Sequence, residues 1–217
     1  MFTGAICLAA VAGYINVVVL GVFHVPVSHM TGAVSRLSVD LASGDRLDLR
    51  VVSSIVAAFF VGAAVSGAII GGRKLVPGRR YGVALLVEGV ALGLACYLLM
   101  QGSRLGVTMA ALACGIQNAM ASSYFGLVLR TTHVTGIVTD LGVMAGHWIR
   151  HRRIDRWKPM LLASILLFFF GGGVVGFRVS ELWGVAALMI PAIGCVIAGM
   201  VYYVWRHYLL RPRKPTG

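Results

Sequence analysis

Two stretches of this chain set amides, an imidazole and a hydroxyl at nearly the same spacing. Gly13-Tyr14-Ile15-Asn16 precedes His29-Met30-Thr31-Gly32, and Gly115-Ile116-Gln117-Asn118 precedes His133-Val134-Thr135-Gly136. A threonine followed by glycine and an apolar run suits a helix start, with the hydroxyl accepting from a free N–H of the first turn. Ser35 and Thr139 follow four residues later, on the same helical face. A helix that starts inside an apolar region presents unpaired N–H groups and a positive dipole end. Two such starts brought together would form a polar centre suited to an anion or a polar solute. The plainer alternative is that these side chains hydrogen-bond between helices. The candidate solute-binding residues are Asn16, His29, Thr31, Gly32, Ser35, Gln117, Asn118, His133, Thr135, Gly136, Thr139 and Asp140.

Three groups are candidates to carry a coupling proton. Histidine can carry a proton near neutral pH, which makes His133 one of them. Asp140 sits where the first copy has Arg36, so the two could pair across the halves. A local partner for Arg36 is favoured, because Asp40 lies four residues on. Glu88 lies inside a long apolar run, where carboxylates are uncommon and usually matter. Two histidines without a companion cysteine or carboxylate at ligand spacing give no metal site, and nothing points to a cofactor. Cys7, Cys96, Cys114 and Cys195 all fall in apolar runs without C-x-x-C spacing and read as small buried hydrophobes.

The elements that must hold these residues are membrane helices. Apolar residues make up 59% of the 217 and charged ones only 12%, about half the usual charge of a soluble domain. The apolar runs lack strand alternation, which excludes a β-barrel. Six spans are expected, over 3–22, 51–71, 82–100, 104–127, 159–177 and 182–205, each near the ~20 residues that cross a bilayer. All four tryptophans, Trp148, Trp157, Trp183 and Trp205, fall at or just beyond predicted segment ends, as interfacial indoles do. Pro159 suits a first helical turn, and Pro191 predicts a kink in the last span. The segments Thr31–Ser43 and Thr135–His147 would reach only ~20 Å each as helices, too short to cross comfortably.

Charge fixes the topology. The net charge is +12, but the basic residues sit between apolar runs, so positive loops explain them better than nucleic acid does. Arg73, Lys74, Arg79 and Arg80 fill one loop; Arg150, Arg152, Arg153, Arg156 and Lys158 fill another; Arg206, Arg211, Arg213 and Lys214 fill the tail. If both short segments crossed, the loops at 73–80 and 150–158 would lie on opposite sides; if neither crosses, all three regions share one side. Each short segment is therefore expected to be re-entrant or half-membrane, which leaves three spans per half and inverts the second half. The expected fold is an all-α integral membrane protein with six transmembrane helices, two re-entrant or half-membrane helices and two inverted repeats, with both termini cytoplasmic. The repeats would cover residues 1–101 and 102–206, with a basic tail over 207–217. Phe59-Phe60-Val61-Gly62 matches Phe168-Phe169-Phe170-Gly171 across the halves. Gly67/Gly71, Gly89/Gly93, Gly142/Gly146 and Gly172/Gly176 are candidate close-packing pairs.

Ala12-Gly13-Tyr14, Met30-Thr31-Gly32, Gly115-Ile116-Gln117-Asn118-Ala119 and Thr131-Thr132-His133-Val134-Thr135-Gly136 with Thr139-Asp140-Leu141-Gly142 resemble the YoaK-like bacterial membrane proteins, a family of unknown function. The resemblance spans about residues 5–205 and implies the bacterial inner membrane, without a substrate. Asn16 stands where that family often has aspartate, and Ala33 where it often has asparagine.

The expected function is a small secondary transporter or channel for a polar or anionic solute, proton-linked in one version, and not an enzyme. The alternatives are a membrane enzyme or lipid-handling protein, or a structural membrane protein without transport. The expected partners are the lipid bilayer and the solute, with no nucleic acid; a homo-oligomer is left open.

Overall fold

The computed structural model describes residues 2–24, 26–71, 80–123, 132–151 and 155–206. Most of the basic loops, Thr131 and the tail beyond Arg206 lie outside the described residues. Those described are helical apart from short connections, with no strand. The helices are α1 (Phe2–Phe23), α2 (Met30–Ser43), α3 (Arg46–Ile70), α4 (Arg80–Met100), α5 (Leu105–Ser123), α6 (Val134–His151), α7 (Trp157–Trp183) and α8 (Met189–Val204), with a 3-10 segment, Gly184–Leu188, between the last two.

Five helical runs among these residues are long and apolar enough to cross a membrane: α1, α3, α4, α5 and the continuous run Trp157–Val204. They mark a multi-pass membrane protein. The expected loop near Arg178 and Glu181 does not exist. α7 continues through it, and the two side chains form an i,i+3 ion pair at 3.1 Å on the helix surface. The break comes instead at Gly184, whose φ of 57° lies in the left-handed region. Pro191 then falls in the first turn of α8, where its missing N–H leaves no gap in the ladder, so the expected mid-span kink is absent.

Glycines set the packing directions. A Cβ on Gly13 would run into the Phe169 carbonyl, one on Gly172 into the Ala10 carbonyl, and one on Gly176 against Tyr14. From Gly13 to Gly21 the α7 neighbour advances from Phe169 to Phe177, so α1 and α7 run parallel with their backbones touching. A Cβ on Gly115 would run into the Phe59 carbonyl and one on Gly62 into the Leu112 carbonyl, while the Ser54 and Thr108 hydroxyls bond at 2.9 Å. α3 and α5 are therefore parallel in the same manner. α4 and α8 run antiparallel, with Gly82 against Gly199 and Tyr203, and Gly89 against Ala192 and Val196.

These contacts correct the expected register. Phe59 corresponds to Phe169 and Gly62 to Gly172, one residue along from the match read in the sequence. Of the candidate glycine pairs, only Gly172/Gly176 packs at both members. Gly89 packs without Gly93, Gly67 and the pair Gly142/Gly146 face open space, and Gly71 takes a left-handed turn at the end of α3.

Candidate functional site

Each copy of the motif builds the same local device. The Asn16 side-chain oxygen accepts from the Ser28 N–H at 3.2 Å and the Ser28 hydroxyl at 2.8 Å, and the Asn118 oxygen accepts from the Thr132 hydroxyl at 3.1 Å. Ser28 and Thr132 are the residues just before the two histidines. Asparagine on a long helix thus ties down the strap that leads into the next, shorter helix.

The histidine then starts that helix. The His29 carbonyl accepts from the Ala33 N–H at 3.0 Å and the His133 carbonyl from the Ile137 N–H at 3.1 Å. Each imidazole lies over the glycine three residues on, where a Cβ on Gly32 or Gly136 would strike the ring. This corrects the threonine-cap expectation. His29 occupies the cap position of α2 and makes no side-chain cap bond there, while Thr31 already lies inside the helix. The glycine in His-x-Thr-Gly makes room for the ring. Thr139 bonds back to the Thr135 carbonyl at 2.9 Å, and Ser35, Thr139 and Asp140 are exposed.

The two helix starts are not brought together. α2 packs on α3 and α6 on α7, with no contact between α2 and α6 among the described residues. The parallel course of α3 and α5 puts the first device where α3 begins and the second where α5 ends, at opposite ends of the bundle. α2 has 14 residues and α6 has 18, so the second is longer than the sequence suggested. Arg36 does not reach Asp140; it bonds Asp40 at 2.8 Å and Asp48 at 2.8 Å, tying α2 to the first turn of α3. Those carboxylates, Asp40 foremost, push the Arg36 guanidinium above its ordinary pKa.

Polar groups also lie at the bundle centre. Glu88 on α4 and Gln117 on α5 are both 0% exposed. Among the described residues, neither carboxyl oxygen of Glu88 and neither amide atom of Gln117 has a hydrogen-bond partner, and the Ser66 hydroxyl on α3 is unpartnered too. The Cys195 thiol of α8 lies beside the Glu88 carboxyl without closing a hydrogen bond. Cys7 is exposed, unlike the other three cysteines. Glu88 and Gln117 were visible in the sequence; Ser66 and the Cys195 thiol gave no signal there, since an isolated serine or cysteine in an apolar run is unremarkable.

Two cavities flank this centre. A pocket of about 540 Å3 at the end where α1 stops is lined by His24, Gly32, Arg36, Asp48 and Arg104 among others. His24 closes α1 in the left-handed conformation, φ 56°, a place where glycine is usual. An apolar crevice of about 870 Å3 opens between α1–α7 and α4–α8. Neither His24, Arg104 nor the crevice was foreseen, because each depends on which helices pack together. Among the described residues no group of three His, Cys, Asp or Glu could hold a metal.

The DUF1275 family, described as a protein of unknown function, matches residues 4–201, nearly the whole chain. This chain belongs to the DUF1275 family. Its membership is consistent with the YoaK-like resemblance carried by the motifs. No match was found for the chain among curated proteins or among solved structures. In this DUF1275 protein the paired motifs therefore acquire their meaning from geometry: two strap-and-helix devices, one at each end, around a buried carboxyl and amide.

Proposed function

We propose that this DUF1275 protein is a small secondary transporter or channel for a polar or anionic solute in the bacterial inner membrane. In this reading α7 and α8 are separate crossings, which makes six, while α2 and α6 do not cross. The helix directions support it: α1, α4 and α7 run one way, and α3, α5 and α8 the other. Arg80, Lys158 and Arg206 then share one end, which becomes cytoplasmic with both termini. The halves form inverted repeats in this reading, because α1 packs on α7 as α5 packs on α3.

One observation carries the functional reading: Glu88 and Gln117, fully buried and unpartnered at the centre of an apolar bundle. A buried polar group without a partner is costly, and within a membrane protein such groups mark solute and proton paths. Glu88 would carry the coupling proton. The pocket with Arg36, Arg104 and His24 at its wall would receive the solute; Arg36 is already bound to Asp40 and Asp48, so Arg104 would supply the charge for an anion. Asp140 and His133, at the other end, would meet the solute on release.

Flux into proteoliposomes over a panel of inorganic anions and small carboxylates tests this. Wild type is expected to move at least one solute, Glu88→Gln to lose the pH dependence, and Arg104→Gln to raise KM. Glu181→Gln, which alters only an exposed ion pair, should match wild type. No flux across the panel would overturn transport.

A further inference from the structure

The crevice has a feature that solute transport does not use. Its walls are almost wholly apolar, formed by the first half of α1, the start of α4, the middle of α7 and most of α8, with Leu8, Val11, Leu85, Val175, Ile190 and Ala198 among them. Tyr14 in its wall donates its hydroxyl to the Ala187 carbonyl at 3.0 Å. Toward one end the crevice reaches Gly4 and Tyr202. At that end Arg206 lies over the Tyr202 ring at 5.9 Å and the Trp205 ring at 5.7 Å. Its Nε is buried and has no acceptor among the described residues.

We propose that one anionic phospholipid occupies this crevice, with an acyl chain between α1–α7 and α4–α8 and its phosphate at Arg206. A volume of about 870 Å3 falls in the usual range of ligand cavities, about 300–1,000 Å3. The apolar wall runs between spans, where only hydrocarbon is at hand to fill it. The Arg206 guanidinium suits phosphate oxygens in its planar fork. Arg80, Lys158 and Arg206 share this end of the bundle, and the cytoplasmic leaflet is the one rich in anionic lipid. The aromatic pair Tyr202 and Trp205 sits where amphipathic rings favour the headgroup level. The chain supplies the slot and the lipid supplies both the hydrocarbon and the charge.

The crevice can be filled without disturbing the helices. Gly171 and Gly194 line it, and a Cβ on either meets nothing within 4 Å. The protein would be reconstituted in nanodiscs of equal phosphatidylglycerol and phosphatidylcholine, released, and weighed intact by native mass spectrometry. Wild type is expected to retain one phosphatidylglycerol in preference to phosphatidylcholine. Arg206→Ala should cut that preference about fivefold, the factor one basic residue supplies at an anionic surface. Gly194→Leu should abolish retention of either lipid while the helix content stays unchanged. Equal retention of the two lipids by wild type would refute the headgroup site. Retention by Gly194→Leu at the wild-type level would refute the crevice. A dimer in wild type that becomes a lipid-free monomer in Gly194→Leu would show that a second copy, not lipid, fills the slot. None of these readouts depends on solute flux, so the two proposals can fail separately.

Discussion

Replacing Gly115 by alanine adds one methyl group at the crossing of α5 and α3. That methyl would lie well inside contact distance of the Phe59 carbonyl, which is rigid backbone rather than a side chain that can swing away. Relief requires the helices to separate, and separation also disturbs Gly62 on Leu112 and the Ser54–Thr108 hydrogen bond in the same interface. Overpacking of this kind costs about 1–3 kcal/mol. Against it stands the helix-forming advantage of alanine over glycine, at most ~1 kcal/mol. The expected net loss is therefore about 0–2 kcal/mol against wild type, and about 1–3 kcal/mol against an alanine that has the helical gain without the contact. Gly142→Ala supplies the reference, since Gly142 faces open space on α6 and keeps only the helical gain. Gly13→Ala, at the equivalent crossing of α1 on Phe169, should lose about as much as Gly115→Ala. The double variant should be additive within ~0.5 kcal/mol, because the two crossings share no residues. Unfolding in mixed micelles of rising denaturing-detergent fraction, followed by helical circular dichroism, measures all four. Gly115→Ala as stable as Gly142→Ala would refute the backbone contact. A Gly13 cost unlike that of Gly115 would refute the equivalence of the crossings.

The straps give a second test: Asn118→Ala and Asn16→Ala should each lower stability by about 1 kcal/mol for the lost hydrogen bonding, and hydrogen exchange should quicken at the start of α6 or α2 respectively. Unchanged exchange there would show that the amides do not hold the straps. Asp45 caps α3 by accepting from the Leu47 and Asp48 N–H groups at 3.1 and 3.2 Å, so Asp45→Ala should cost about 1 kcal/mol and Asp45→Ser should recover much of it in the same unfolding assay.

The membrane class, the apolar runs and the equivalence of the two motifs were legible because each depends on local pattern. Asn16 and Asn118 could be singled out as buried amides, and Arg36 could be paired with Asp40 from i,i+4 spacing alone. The role of the glycines was less visible. Gly13 and Gly115 look like motif punctuation until Phe169 and Phe59 are seen against them, and Gly142 and Gly146, with good spacing, touch nothing. The meeting of the two helix starts was expected from inversion, yet inversion fixes orientation and not depth, and α2 and α6 stay apart. The end of α7 was misplaced because Arg178 and Glu181 look like a loop in a hydropathy trace; their mutual ion pair lets the helix carry them. Arg206 passed for topology alone, since nothing in the sequence sets its Nε beside an apolar crevice.

The cross-half crossings also govern how the chain can be made. Gly13 meets Phe169, 156 residues later in the chain. During synthesis α1 enters the bilayer long before its closest partner exists, and α3 must likewise wait for α5. Neither half contains both faces of its own tightest interface. Contacts so distant along the chain form slowly, so final assembly waits until α8, the partner of α4, has emerged. Two half-chains made separately would each lack a core, yet together they carry every surface needed to complete one another.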